Sequence, residues 1–433
     1  WNVRGYCNKE AELQNELKAA KVDIAIISET KKKSRGSMEL KDYILIYSGV
    51  DKNERAQAGV AIMIDKKWKN KIQSYSFINE RILTLRLKTE RGYMNIIGVY
   101  APEEGKTTDT IQFYNTLQSQ IDKIRKTEYL IVAGDLNARV GKEKITGIVG
   151  SQGESTLNQN GRALRDFASF NLLKITNTFF RHKDIHKYTW CARGSKSLID
   201  YVLTNKKLSP MVLNTRVYRR FDVSSDHYLL ICNLAIPRRF YEIKETQKVK
   251  EEVFRVNLLE DISVRTFYQS RINQLLTQHP ISCNINIEWQ ILHNILNQAA
   301  SEALGKRKKR SSNRALNVWN EEIKYLVQEK KKAYLRYLEN RSTENLVNYK
   351  KHTAIVKKEI RKLKRESWEN FVSHIEHDIH GRQVKAHKIL KKLDKNENDD
   401  LRLIQFQKKS GSTTMKIFGP AMNIKITKKQ QMI

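Results

Sequence analysis

The sequence predicts an α+β chain: a four-layer α/β sandwich of two packed β-sheets flanked by helices, followed by a mostly α-helical basic extension. Short apolar runs rich in branched residues recur through residues 1–237, separated by turn signals, and only two or three long segments there keep helical spacing. Such a pattern packs strand on strand and leaves the helices outside. From Leu316 onward the apolar period becomes strongly helical instead. The formal charge of +33 and a pI near 9.8 fall unevenly, roughly +14 on residues 1–237 and roughly +19 on the shorter remainder, which calls for a polyanionic partner, nucleic acid first.

The elements follow in order. Residues 8–20 carry Leu13, Leu17 and Ala20 at helical spacing and lead into an apolar strand at 22–28. Residues 43–47, 59–64, 82–87 and 94–100 read as further strands. Ile111, Tyr114, Leu117, Ile121 and Ile124 make 110–126 an amphipathic helix. Residues 129–135 are the most strand-like run, apolar and closed by Gly134. A helix at 161–170 is entered through Asn-Gln-Asn-Gly. Strands at 187–190 and 198–204 flank a short basic loop, and 225–234 is the last strand. Pro237 and Arg238-Arg239 close this first domain (1–237), and a partly helical linker (238–315) ends near the basic run 306–310. Residues 316–395 form a basic helical hairpin: Ile323, Leu326, Val327, Tyr334 and Leu338 share one helix face, and Leu346, Tyr349, Val356, Ile360 and Leu363 a second, with Ser and Thr caps between. Residues 396–433 lose periodicity and are expected to be disordered.

Bulk properties exclude several classes. No apolar run approaches the roughly 18–20 residues of a bilayer span, so no membrane is expected as a partner. No secretory signal is visible, and Cys7, Cys191, Cys232 and Cys283 have neither disulfide-framework nor zinc-site spacing. They read as reduced thiols of a nuclear or cytoplasmic protein, not a secreted one. The chain begins at Trp1, and Trp1-Asn2-Val3 resembles the last turn of a strand cut short. The expectation is a fragment in which Asn2 has no strand to hold it, with lowered activity and stability.

Polar residues gather where these strands end. Residues i and i+2 of a strand point to one side, so Asp135 and Asn137 can reach a single spot beyond 129–135. A carboxylate there can take a proton from water, and the amide can hold that water or a phosphate oxygen. A strand closing in an Asx turn would look the same. Glu29 follows the strand at 22–28, Tyr100 closes 94–100, Asp200 lies inside an apolar strand, and Asp226-His227 opens the last one. Each has a plain alternative, as a surface acid, a packing residue or a turn. Their joint occurrence in a phosphate-seeking chain is the signal.

Trp-Asn-Val-Arg-Gly, Ile-Ser-Glu-Thr, Gly-Val-Tyr-Ala-Pro, Gly-Asp-Leu-Asn-Ala, Ile-Asp-Tyr-Val-Leu and Ser-Asp-His, in this order, resemble the endonuclease/exonuclease/phosphatase superfamily. Within it the chain looks like the apurinic-type endonuclease domain of RTE-type non-LTR retrotransposons, without their reverse transcriptase. The resemblance implies that Glu29, helped by Asn2, holds Mg²⁺, with Mn²⁺ able to substitute. It implies Asp135 as general base, Asn137 orienting water or phosphate, and His227 donating to a phosphate oxygen. Asp226 would fix the imidazole, Asp200 would support the site from the opposite sheet, and Tyr100 would hydrogen-bond the scissile phosphate. DNA would be contacted by Arg193, Lys196, Trp190 and Asn160, and element RNA by the basic helices. The implied reaction is phosphodiester hydrolysis leaving a 3′-hydroxyl nick for target-primed reverse transcription. The alternatives are an inactive or domesticated nucleic-acid-binding remnant and a phosphatase of the same superfamily. Arg4 stands where some repair members carry an acid, which argues against an apurinic-site repair enzyme.

Overall fold

In chain order the fold begins α1 (Glu10–Ala19), β1 (Ile24–Ser28), β2 (Arg35–Glu39), β3 (Tyr43–Ser48), β4 (Val60–Asp65), β5 (Ile72–Phe77), β6 (Ile82–Thr89), β7 (Gly92–Tyr100), α2 (Thr107–Ile121) and β8 (Tyr129–Asp135). It continues α3 (Gln159–Phe170), β9 (Leu173–Ile175), β10 (Trp190–Ala192), β11 (Ser195–Ser197), β12 (Asp200–Asn205), β13 (Val212–Tyr218) and β14 (Leu229–Leu234). This computed structural model describes residues 1–90, 92–192, 194–236, 252–278, 285–308, 319–381, 404–409, 412–419 and 422–427. The chain divides into two units, 1–241 with 315–433, and 242–314.

Three apolar layers hold the first unit together. One sheet has the order β1-β4-β3-β2 and the other β5-β6-β7-β8-β12-β9. Strands buried on both faces lack polar alternation: every residue of β3 is buried, as are all but the last of β4. Ile44, Ile46, Ile62 and Ile64 face Leu83, Leu85, Leu87 and Ile96 to form the core between the sheets. Their sequence neighbours Leu45, Tyr47, Ala61 and Met63 turn outward and pack with Leu13 and Leu17 of α1, the period of two that sheets impose. On the far side Phe113, Leu117, Leu164 and Phe167 of α2 and α3 cover Ile97, Val99, Leu130 and Val132. The layers are therefore helix, sheet, sheet, helix, as the sequence predicts. A separate two-stranded ribbon, β13-β14, joins the α1 side through Tyr218, Leu229 and Ile231.

Local differences from the sequence reading have physical reasons. β2 and β5 differ from the sequence reading because they carry exposed polar residues in place of an apolar run, and β13 because Asn214, Thr215 and Arg216 interrupt its apolar residues. The strand expected at 187–190 lies at Trp190–Ala192, paired with β11 in a short ribbon. Asn2 does not lack support. It forms a parallel bridge with Ser28, Ser28 donates its N–H to the Trp1 carbonyl (3.0 Å), and Trp1 and Val3 are buried in the outer core. The basic run 306–310 is not a bare linker over its described part. β16 (Lys306–Lys308) pairs with β15 (Glu252–Phe254) in the second unit, where α4 (Ile262–Thr277) and α5 (Ile285–Leu304) pack through Leu275, Ile295 and Ala299.

Within the first unit α6 (Glu321–Glu339) and α7 (Thr343–Gly381) form a helical hairpin; 316–318 and 382–395 of the hairpin read from the sequence lie outside the described residues. Asn320 caps α6 by accepting from the Ile323 N–H, and Ile323, Leu326 and Val327 meet Val356, Ile360 and Leu363. Of the tail 396–433, the described residues pair as three antiparallel strands, β17 (Ile404–Lys409), β18 (Ser412–Gly419) and β19 (Met422–Thr427); the rest lies outside the described residues. Alternating apolar residues at Ile404/Phe406 and Ile424/Ile426 supply a strand period that the many lysines hide.

Candidate active site

Register brings three of the predicted polar residues into one row. Tyr100 on β7 lies opposite Asp135 on β8, in parallel pairing, and Asp135 lies opposite Asp200 on β12, in antiparallel pairing. Asp200 is therefore on the neighbouring strand of the same sheet; the expectation that it reaches in from the opposite sheet is corrected. Gly134 makes the close approach possible: its φ is +149°, and a Cβ there would fall 1.9 Å from the Val99 carbonyl oxygen.

The loop before β14 adds the imidazole. His227 Nδ1 bonds Asp200 Oδ2 at 2.8 Å, and Nε2 stands 3.9 Å from Asp135 Oδ2. Burial alone would push the imidazolium down; the Asp200 and Asp135 carboxylates overcome it and raise His227 to about 9. Burial works against the Asp200 charge too, but the His227 contact holds that carboxyl below its ordinary range. Asp135 goes the other way. Burial, and after it the adjacent Asp200 charge, push it up to about 6, against the pull of His227, the Asn2 amide and the Asn137 N–H. Asp200 is thus the ionised counter-ion of His227, while the proton affinity of Asp135 lies close to neutrality.

Asn2 donates from Nδ2 to Asp135 Oδ2 at 2.9 Å, while its Oδ1 accepts from the Arg4 N–H. Asp135 Oδ1 accepts from the Asn137 N–H, and the Asn137 side chain donates to the Ala101 carbonyl at 2.9 Å. Glu29 follows β1 directly and pairs with Lys31 at 2.8 Å. Its charge and that of Asp135 reach the Tyr100 hydroxyl, whose titration burial has already displaced upward, so Tyr100 stays a neutral donor. Glu29 and Asn137 hold φ of +52° and +46°, a strained backbone that non-glycine residues rarely adopt and that clusters at functional sites.

Other predicted residues sit differently. Asp226 does not hold the imidazole; its Oδ2 accepts from Arg4 and from Trp190 Nε1, each at 3.1 Å. Trp190 is tied to the site as a brace, bridging His227 through the backbone. Asn160 is no surface contact. It is buried at the start of α3 and donates to the Pro102 and Asn137 carbonyls. Lys196 is exposed on the β10–β11 ribbon, over the Tyr188 ring and paired with Asp184 at 3.2 Å, whereas Arg193 lies outside the described residues. Residues without an evident signal also bear on the site. Ser28 Oγ accepts from the Asp135 N–H, Trp1 Nε1 donates to the His227 carbonyl, and Ser225 Oγ donates to the Asn2 carbonyl and accepts from the His227 N–H. The only signal each carries is its adjacency to a candidate: Trp1 beside Asn2, Ser28 beside Glu29 and Ser225 beside Asp226-His227.

A profile of the Endonuclease/Exonuclease/phosphatase family matches residues 1–227. The chain belongs to that family. It is similar to craniofacial development protein 2 of Bos taurus, 31% identical over 243 residues, a match covering 54% of this chain and 40% of that protein. A probable RNA-directed DNA polymerase from transposon X-element of Drosophila melanogaster is 24% identical over 278 residues, covering 62% of this chain and 28% of that one. The chain therefore spans less than half the length of these relatives. Among solved structures, the endonuclease domain of TRAS1, a telomere-specific non-LTR retrotransposon, is 18% identical with a TM-score of 0.40, over 55% of this chain and 96% of that one.

Members of the endonuclease/exonuclease/phosphatase family are in general hydrolases of phosphodiester bonds. Asp135, Asp200 and His227 each offer a ligand atom within 4.8 Å of the others, so the cluster could hold a metal ion. The donor set around it suits a hard cation on the carboxylate side. Asp200 Oδ1 is buried with no hydrogen-bond partner, an oxygen of the kind such a cation takes. Among the described residues no helix is long and apolar enough to cross a membrane.

Proposed function

We propose that the chain is a divalent-metal-dependent DNA endonuclease that hydrolyses one phosphodiester and leaves a 3′-hydroxyl nick, the end from which an element's reverse transcription is primed. The observation that carries the reading is the convergence of Asp135, at the end of β8, and His227, 3.9 Å apart and both with raised proton affinities.

Asp135 Oδ2, ionised above about 6, takes the proton of the attacking water. Asn2 orients that oxygen, and Asn137, its amide fixed against Ala101, orients the water or the phosphate. His227, protonated and held by Asp200, presents Nε2 to a non-bridging phosphate oxygen, where its charge opposes the charge that builds in the transition state. Tyr100, neutral, donates to the scissile phosphate. Mg²⁺ or Mn²⁺ on Glu29 and Asn2 would supply Lewis-acid neutralisation of the phosphate. The exposed Lys357, Lys358, Arg361 and Arg365 of α7, with Lys196 of the ribbon, supply sequence-independent contact to DNA or element RNA.

Nicking of supercoiled plasmid tests this. Relaxation that needs Mg²⁺, stops with chelator and is abolished by Asp135→Ala and His227→Ala supports the endonuclease. Binding without relaxation by wild type would place the chain with nucleic-acid-binding remnants instead, and phosphate release from lipid head groups with the phosphatases.

A further inference from the structure

The helical hairpin has a buried charge that the chemistry above leaves unused. Lys330 of α6 is among the largest fully buried side chains. Its ammonium contacts Glu12 of α1, Asp222 at 3.1 Å and Ser224 Oγ at 3.1 Å. Tyr349 of α7 donates to both oxygens of the same Asp222, at 2.9 and 3.0 Å, and Tyr334 donates to the Arg219 carbonyl. At the turn of the hairpin, Arg341 reaches Cys191 Sγ at 3.3 Å and Tyr228 OH at 2.7 Å.

The contacts to Asp222 and Ser224 end on the loop that carries Asp226 and His227. Asp222 Oδ1 accepts from the Ser224 N–H, and Ser224 holds a φ of +55°, a strained conformation that needs external support. The next residue, Ser225, grips both the Asn2 carbonyl and the His227 N–H. A continuous set of hydrogen bonds therefore runs from Lys330 through Asp222 and Ser224–Ser225 to the backbones of Asn2 and His227. Without the ammonium, Glu12 and Asp222 would be two like charges facing one another in a buried site.

We infer that the α6–α7 hairpin is a working part of the candidate nuclease, and that Lys330 is a positioning residue setting the conformation of the 222–227 loop, and through it the placement of His227 and Asn2. The reading of the reaction rests on the proposed endonuclease; the anchoring itself does not. The hairpin thereby couples two tasks. Its outer face offers cations to a polyanion, and its inner face fixes the loop that presents the imidazole, so a strand held on α7 bears on a helix pair already clamped to the site.

The test uses the full chain as wild type, Lys330→Met, Tyr349→Phe and Lys331→Met, with amide hydrogen exchange and steady-state plasmid nicking in Mg²⁺. Lys331, next along the helix, is half-buried; it pairs with Glu16 and stands over the Phe221 ring, and makes no hydrogen bond or ion pair to residues 222–227. Lys330→Met is expected to speed exchange at the Ser224 and His227 amides about tenfold or more while β3 and β8 keep their protection. It should lower kcat about tenfold with KM for DNA unchanged, since an interaction felt at the reacting groups and not in binding is lost. Tyr349→Phe moves both readouts in the same direction by less, and Lys331→Met moves neither. Wild-type protection of the loop in Lys330→Met, exchange rising equally throughout the protein, or Lys331→Met matching Lys330→Met overturns the inference. Should Lys330→Met not fold, Tyr349→Phe decides by the same loop amides: faster exchange supports it and unchanged exchange overturns it. A wild type that does not nick defeats the endonuclease reading and leaves the exchange experiment to judge the anchoring.

Discussion

Two buried ionic clusters lie in the first unit, built from the same kinds of group and completed differently. Around Lys330 one ammonium meets two carboxylates and the Ser224 hydroxyl, the Tyr349 hydroxyl bonds one of those carboxylates, and the proton affinity of the ammonium is pushed up. Around His227 one imidazolium also meets two carboxylates, yet only Asp200 is in hydrogen-bond contact; Asp135 stays 3.9 Å away with a raised proton affinity, and Asp200 Oδ1 has no partner. A saturated cluster fixes structure. An unsaturated one keeps a base near neutrality and leaves polar atoms for a substrate, at some cost in stability.

The comparison makes opposite predictions for removing a charge from each cluster. Asp135→Asn should lower nicking by about 10²–10⁴-fold, the usual contribution of a positioned proton acceptor, while raising Tm at neutral pH. The sign follows from linkage. An acid whose folded-state value lies above its ordinary 3.8 opposes folding once ionised, so the gain in Tm is absent below about 3.8 and complete above about 6. Calorimetry across pH with parallel plasmid assays checks both halves. Lys330→Met should do the reverse to stability, losing about 3–5 kcal/mol because two buried carboxylates lose the ammonium in contact with them, as urea unfolding would read. Equal losses from the two variants would erase the distinction.

Asp200→Asn sharpens it. Without its contact partner, His227 should titrate well below 9, since burial then acts against only the more distant Asp135 and Asp226, and NMR of the imidazole reads the midpoint directly. In the native protein His227 contributes stability that is present below its ordinary 6.5 and lost as pH rises through 9, and that loss should vanish in the variant. The smallest effect belongs to the exposed rim: Lys196→Ala should weaken DNA binding uniformly across sequences and reduce the salt slope by about 1.

Much of the architecture was legible because local chemistry and burial agree. Apolar runs such as Ile44–Tyr47 and Leu130–Ala133 cannot sit anywhere but between layers, and Gly134-Asp135 marks where one of them stops. What escaped depends on register and on distant partners. Asp226 adjoins His227 in sequence, so it was the natural candidate to hold the ring, yet the pairing of β8 with β12 brings Asp200 there instead. Lys330-Lys331-Lys332 reads as one solvated basic run; only the docking of α6 on α1 buries the first, half-covers the second and leaves the third outside. Asn160, a DNA contact by resemblance, is instead a buried brace for the Asn137 loop, which the sequence around it does not signal.

The row formed by Tyr100, Asp135 and Asp200 gives the chemistry an address counted in ladder steps. Sliding β12 by a single residue against β8 would turn Asp200 to the opposite face and strip His227 of its counter-ion, with every side chain still present. Insertions should thus be tolerated in the connecting loops and not within these strands, and a lineage that preserves the ladder is free to rewrite nearly everything around it.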